Sequence, residues 1–122
     1  MDVMTRSQFE RVLFLQATMF LKSKQPNEKI PIGIDFVDVL PDGESIVQAS
    51  STIVVLDSLS VDVTSTIRDS GPTVTGTTLN GVFKAGTHNQ TYLITFTAQT
   101  TNGYKFEEEV KLRVREKTVT VA

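Results

Sequence analysis

At 122 residues the chain is long enough for one domain with a two-layer core and no covalent staples. It has no cysteine, which excludes disulfides and thiolate metal centres and argues against a small secreted scaffold. A net charge of −2 without clustered Lys and Arg is a poor match to a phosphate backbone, so nucleic acid is not an expected partner.

The N-terminal segment reads differently from the rest. Ser7-Gln8-Phe9-Glu10 matches a capping box, in which a hydroxyl and a carboxylate satisfy each other's orphan amides. Phe9, Val12, Leu13, Ala17, Phe20 and Leu21 then recur near the helical period, but Phe14, Leu15 and Met19 fall on the opposite side. A segment apolar all round has to be buried against something. The uncharged run Val12 to Leu21 is too short to span a membrane, which takes about 20 residues. It also lacks the small-x-small site that follows a signal peptide. Residues 1–22 are therefore expected to be an apolar arm, a short helix or an extended segment whose end joins the sheet. Its candidate partner-binding residues are Phe9, Val12, Leu13, Phe14, Leu15, Met19 and Phe20.

From residue 23 to 116 the pattern is β. Lys22 to Lys29 is a polar connector in which Pro26 blocks any helix. Ile30, Ile32, Ile34 and Phe36 alternate with polar residues, and Pro31 confines that strand to a sheet edge or a strand start. Pro41-Asp42-Gly43-Glu44 predicts a turn with Pro41 at the position whose φ it presets. Ser45 to Leu56 predicts one strand with Val47, Ala49, Ser51, Ile53 and Val55 facing in. Leu59 to Val63 predicts another short strand, and Ser70-Gly71-Pro72 a turn. Asn80-Gly81 is the strongest short hairpin signal in the chain, although an interior Gly also fits a bulge. Ala85 to Gln90 reads as a loop.

The clearest element is a hairpin over residues 91–115. Tyr92, Ile94, Phe96 and Ala98 alternate with Leu93, Thr95, Thr97 and Gln99. Asn102-Gly103 suggests a type I′ turn. Tyr104, Phe106, Val110, Leu112 and Val114 then alternate with Lys105, Glu107, Glu109, Lys111, Arg113 and Arg115, a row expected to face solvent. Threonines crowd the second half of the chain, as suits half-exposed strands. Turns every 8–12 residues predict an all-β, immunoglobulin-like antiparallel β-sandwich of about seven strands, followed by a tail over residues 117–122.

Chemistry is sparse. His88 is the only histidine and sits in a polar loop without a triad partner in sequence, so no catalytic residue is assigned. Asp35, Asp38, Asp42 and Glu44 gather around a turn, where Ca²⁺ ligands occur, but they lack the D-x-D-x-D-G series. Asp also favours turns simply by accepting local backbone hydrogen bonds. Glu108 falls in inward phase between Phe106 and Val110, which suggests a bulge or a cation such as Lys84 or Arg68 beside it. Asn89-Gln90-Thr91 matches the glycosylation triplet, which acts only in a secretory setting. No P-loop, dinucleotide or nucleophile-elbow motif is present, and no cofactor or metal is expected.

With the strands placed, residues about 24–115 resemble small immunoglobulin-like structural proteins of tailed bacteriophages, the fibre–tail adaptor or capsid cement-like group. The resembling pieces are Lys24-Gln25-Pro26-Asn27-Glu28 before Ile32-Gly33-Ile34-Asp35-Phe36, and the turn Leu40 to Ile46. Lys84-Ala85-Gly86-Thr87, and Thr100-Thr101-Asn102-Gly103 before the charged strand ending Leu112 to Glu116, complete them. Phe36 departs from the group, which often carries Trp there. The resemblance implies a non-enzymatic virion protein, assembled in the host bacterial cytoplasm, that links or decorates other phage structural proteins within a multimeric assembly, with no membrane partner. The alternative is a module that binds a carbohydrate or cell-surface ligand, for which the aromatic platform is missing if Tyr92 and Tyr104 both face the core. Partner contact is expected from the arm and from the turns around 38–44 and 85–90.

Overall fold

The computed structural model describes residues 20–116. Its seven strands are β1 Phe20–Lys24, β2 Ile30–Asp35, β3 Thr52–Leu56, β4 Arg68–Thr75, β5 Thr78–Phe83, β6 Gln90–Gln99 and β7 Lys105–Val114. They form a four-stranded sheet in the order β1-β7-β6-β3 and a three-stranded sheet in the order β2-β5-β4. The only α-helix among the described residues, α1 (Thr64–Ile67), is a single turn. The expected all-β sandwich is thus the observed fold. All strand pairs are antiparallel except one, because β1 runs parallel to β7 with Phe20 opposite Val110 and Lys24 opposite Val114.

Alternation decides the layers. Inward residues of β3, β6 and β7 (Ile53, Val55, Ile94, Phe96, Val110, Leu112) meet Ile32, Ile34, Leu79 and Phe83 from the other sheet in one buried cluster. Phe83 and Phe96 touch edge to face across the two layers, with ring centroids 6.1 Å apart. The β6–β7 register is unbroken from Gln90↔Val114 to Gln99↔Lys105, as the strict period of that hairpin requires. Glu108 therefore sits on a regular strand and not at a bulge. Lys84 lies 3.6 Å from Asp69, and Arg68 donates to the Ile53 carbonyl.

Several elements differ from the sequence expectation. Asn80-Gly81 lies inside β5, and the hairpin turn is Gly76-Thr77, with Gly76 at φ +61. Ser70-Gly71-Pro72 is a bulged stretch within β4. Ser45 to Leu56 is not one strand: Ile46 bridges Thr100, a 3-10 turn covers Gln48–Ser50, and β3 begins at Thr52. That turn leaves Ala49 exposed, and the Ser51 hydroxyl takes over from the backbone by accepting from Gln99 N. Gln48 then reaches across to accept from Val74 N of the other sheet.

Leu59 to Val63 is a loop. It turns on Asp57, whose Oδ1 accepts from Leu59 N at 2.8 Å and Val61 N at 2.9 Å. This excursion also satisfies the edge of β3, since Val63 N donates to Val55 O and Val55 N donates to Thr64 Oγ1. In the 41–44 turn, Pro41 is the acceptor residue and Gly43, at φ +82, takes the position needing positive φ. The β6–β7 loop is a three-residue connection closed by Thr100 and Tyr104, with only Gly103 at positive φ, so it is not type I′. Tyr104 falls outside the ladder and is 53% exposed, against the core phase expected for it.

Candidate interaction surfaces

Strand ends define two poles. Gln99↔Lys105, Ile46↔Thr100, Asp35↔Thr78 and Thr75↔Thr78 place the 36–47, 76–77 and 100–104 segments at one pole. Lys24↔Val114, Gln90↔Val114, Ile30↔Phe83 and Arg68↔Phe83 place 25–29, 57–67 and 84–90 at the other. The expected partner turns, 38–44 and 85–90, therefore lie at opposite ends of the sandwich.

At the first pole the carboxylates are engaged in holding loops. Asp35 Oδ1 accepts from Val37 N (3.0 Å) and Thr77 Oγ1 (2.6 Å). Glu44 accepts from Thr101 Oγ1, Asn102 N and Asn102 Nδ2, which locks the 41–44 turn to the hairpin tip. The Thr100 hydroxyl first, then Asn102 and Thr101, hold the Glu44 carboxyl below its ordinary 4.5. Asp62, at the opposite pole, is lowered in the same direction by Thr64. No group of three His, Cys, Asp or Glu close enough to hold a metal occurs among the described residues. Asp38 and Asp42 are exposed, as are Val37 and Tyr104, so this pole offers acidic and apolar surface together.

The Glu44 contacts carry a pH prediction. A depressed folded-state pKa stabilises the fold above the unfolded value, and that contribution is lost as pH falls from about 4.5 through the depressed value. Acid titration of the melting temperature should therefore fall more steeply for the native chain than for Glu44→Gln in that window. Parallel curves would remove Glu44 from the tip.

At the second pole, Lys24 is 2% exposed. Its ammonium donates to the carbonyls of Gln25 (2.6 Å), Pro26 (3.4 Å) and Ala85, tying the start of the β1–β2 connector to loop 84–90. Burial lowers the Lys24 pKa, partly offset by Glu28. The loop needs such ties, because Ala85, Gly86 and Asn89 all hold positive φ. Tyr92 Oη accepts from Thr87 N at 2.9 Å, and Asn89 N donates to Val114 O. His88 is exposed, and its Nδ1 accepts from Glu116 N at 2.8 Å. Loop 57–61 is not among the turns from which partner contact is expected. It presents Leu59, 81% exposed, and Val61, 52% exposed, on a turn tightened by Asp57.

Of the arm residues, Phe9, Val12, Leu13, Phe14, Leu15 and Met19 lie outside the described residues. Phe20 opens β1 in phase with Val110 yet is 45% exposed, and Leu21 beside it is more so. β1 is an edge strand of the four-stranded sheet. Because β1 runs parallel to β7, the chain enters it from the first pole.

Residues 24–113 match the family model described as podophage GP4 fiber-tail adaptor protein gp77. The chain belongs to this phage fibre–tail adaptor family. The match begins within β1 and ends one residue short of the end of β7, so it takes in both sheets and both poles. The family is one of structural adaptors, of the two kinds that the sequence resembled. No curated protein matches the chain.

Proposed function

We propose that this protein is a non-enzymatic virion component that joins tail and fibre proteins of a podophage, using the two poles of the sandwich as separate contact surfaces. The observation carrying this reading is the opposite placement of the 38–44 and 85–90 turns, each held by its own network. An adaptor has to face two ways, and rigid loops at both ends of a β-scaffold suit that task. Residues 1–22, of which 20–22 lie in β1, act as an assembly arm approaching from the acidic and apolar pole. Their apolar side chains gain stability from burial against a neighbouring subunit, which makes the working form multimeric. Assembly takes place in the host cytoplasm.

Removing residues 1–19 leaves β1 and the whole described core in place. The truncated protein is expected to fold, with an unchanged far-ultraviolet β-spectrum, and to be absent from assembled tails purified from a complementation strain. Incorporation at the level of the full chain would overturn the arm's role.

A further inference from the structure

Between loop 57–67 and loop 84–90 lies an open cleft of about 370 Å³. Val63, Ile67, Gly86 and Tyr92 form its apolar part, and Asp57 and Gln90 its polar rim. Its two bounding loops are tied to each other: Ser58 Oγ donates to Gln90 Oε1 at 3.1 Å, and Lys84 N donates to Ile67 O at 2.7 Å. The exposed Leu59 and Val61 stand on one of the two bounding loops. A preformed, partly apolar cleft of this kind suits a short extended peptide.

We propose that the cleft is a docking site for the chain's own C-terminal segment, residues 117–122. Three observations converge on that occupant. The described chain ends beside the cleft, because Glu116 N is bonded to His88 Nδ1 and Arg115 N to Lys24 O, both next to loop 84–90. Six residues at roughly 3.3 Å each reach about 20 Å, well beyond the width of a cleft of about 370 Å³. The segment Lys117-Thr118-Val119-Thr120-Val121-Ala122 carries valines two apart, the spacing that lays both on one face of an extended strand, with Lys117 available to the carboxylate of Asp57. Tethering favours occupation within one chain, since a short linker gives the segment an effective concentration in the millimolar range. This inference does not rest on the adaptor role.

Amide spectra of the full chain and of a full-length Val119→Asp, Val121→Asp variant test it. The amides of Gly86, Thr87, Gln90 and Val63 should shift between the two, while those of the β6–β7 ladder remain in place. A chain ending at Glu116 should reproduce the variant spectrum, and a peptide of residues 115–122 added to it should restore the native shifts in a saturable way. Identical cleft shifts in all three proteins overturn the proposal. So do shifts that grow with protein concentration while the measured mass doubles, which would put a second copy's tail in the cleft.

Discussion

Phe83→Ala and Phe96→Ala should each lower the free energy of unfolding by about 3–5 kcal/mol. Both rings are fully buried, and they meet edge to face across the two layers. Truncation loses the transfer free energy of the ring and leaves a cavity that two hydrogen-bonded sheets cannot collapse to fill. A domain of this size has only about 5–15 kcal/mol to lose, so either variant should forfeit a large share of its stability. Urea denaturation followed by far-ultraviolet dichroism measures the change, with an unaltered slope showing that the denatured state is unaffected. A double-mutant cycle should return a coupling of about 0.5–1.5 kcal/mol for the edge-to-face pair. Tyr104→Ala supplies the contrast, because an exposed tip residue should cost no more than about 0.5 kcal/mol. Losses below 1 kcal/mol at both phenylalanines would mean that the layers do not meet where the buried cluster places them.

Legibility followed the period of the side chains. β6 and β7 were readable because every inward position from Tyr92 to Ala98, and from Phe106 to Val114 apart from Glu108, is apolar, so only one register buries them. β2 was readable for the same reason, and Pro31 foretold its edge position. The failures arise where a side chain stands in for backbone. Ser51 and Gln48 supply the hydrogen bonds that let Ser45 to Leu56 break in the middle, and an alternation count cannot see such substitution. Asp57 does the same for the 57–61 loop, which is why Leu59 and Val61 looked like strand residues although they point to solvent. The turn at Gly76-Thr77 lost to Asn80-Gly81 because the dipeptide rule reports local preference, whereas the place of Gly81 is set by the core beneath it. Tyr104 kept the parity of its strand in sequence and left it in space, one residue before the ladder begins.

The surfaces were less legible than the strands, for a physical reason. The 38–44 and 85–90 turns could be named from Gly, Pro and Asn content, but their separation at two poles depends on which strands cross between the sheets. The cleft between loops 57–67 and 84–90 joins residues 19 to 35 positions apart and has no local signature. In sequence, Glu44 stands with Asp35, Asp38 and Asp42 in one acidic group around a turn. Its partners are Thr100, Thr101 and Asn102, so it fastens the 41–44 turn to the hairpin tip.

Gly71→Ala should cost about 3 kcal/mol or more, and Gly81→Ala about 1–3 kcal/mol, through two different obstacles at one crossing. Gly71 holds φ +106, and a Cβ there would lie 2.8 Å from Asn80 O and 2.9 Å from Gly81 Cα. Those are backbone atoms of the central strand β5, which is hydrogen-bonded on both sides and cannot retreat. Gly81 has an ordinary φ, and its added methyl would meet Ile53 Cδ1 at 2.8 Å and Phe83 Cζ at 2.9 Å. Ile53 can turn its terminal methyl away, but the Phe83 ring is clamped against Phe96, so the strain passes into the same cross-layer contact that Phe83→Ala removes. Gly43→Ala separates conformational strain from collision, since Gly43 holds φ +82 with nothing within 4 Å of the added carbon, and it should cost only about 1 kcal/mol. Urea melts of the three variants should rank Gly71 above Gly81 and Gly81 at or above Gly43. A Gly71→Ala protein no weaker than Gly43→Ala would show that β4 and β5 do not approach this closely, and would loosen the three-stranded layer on which both poles are mounted.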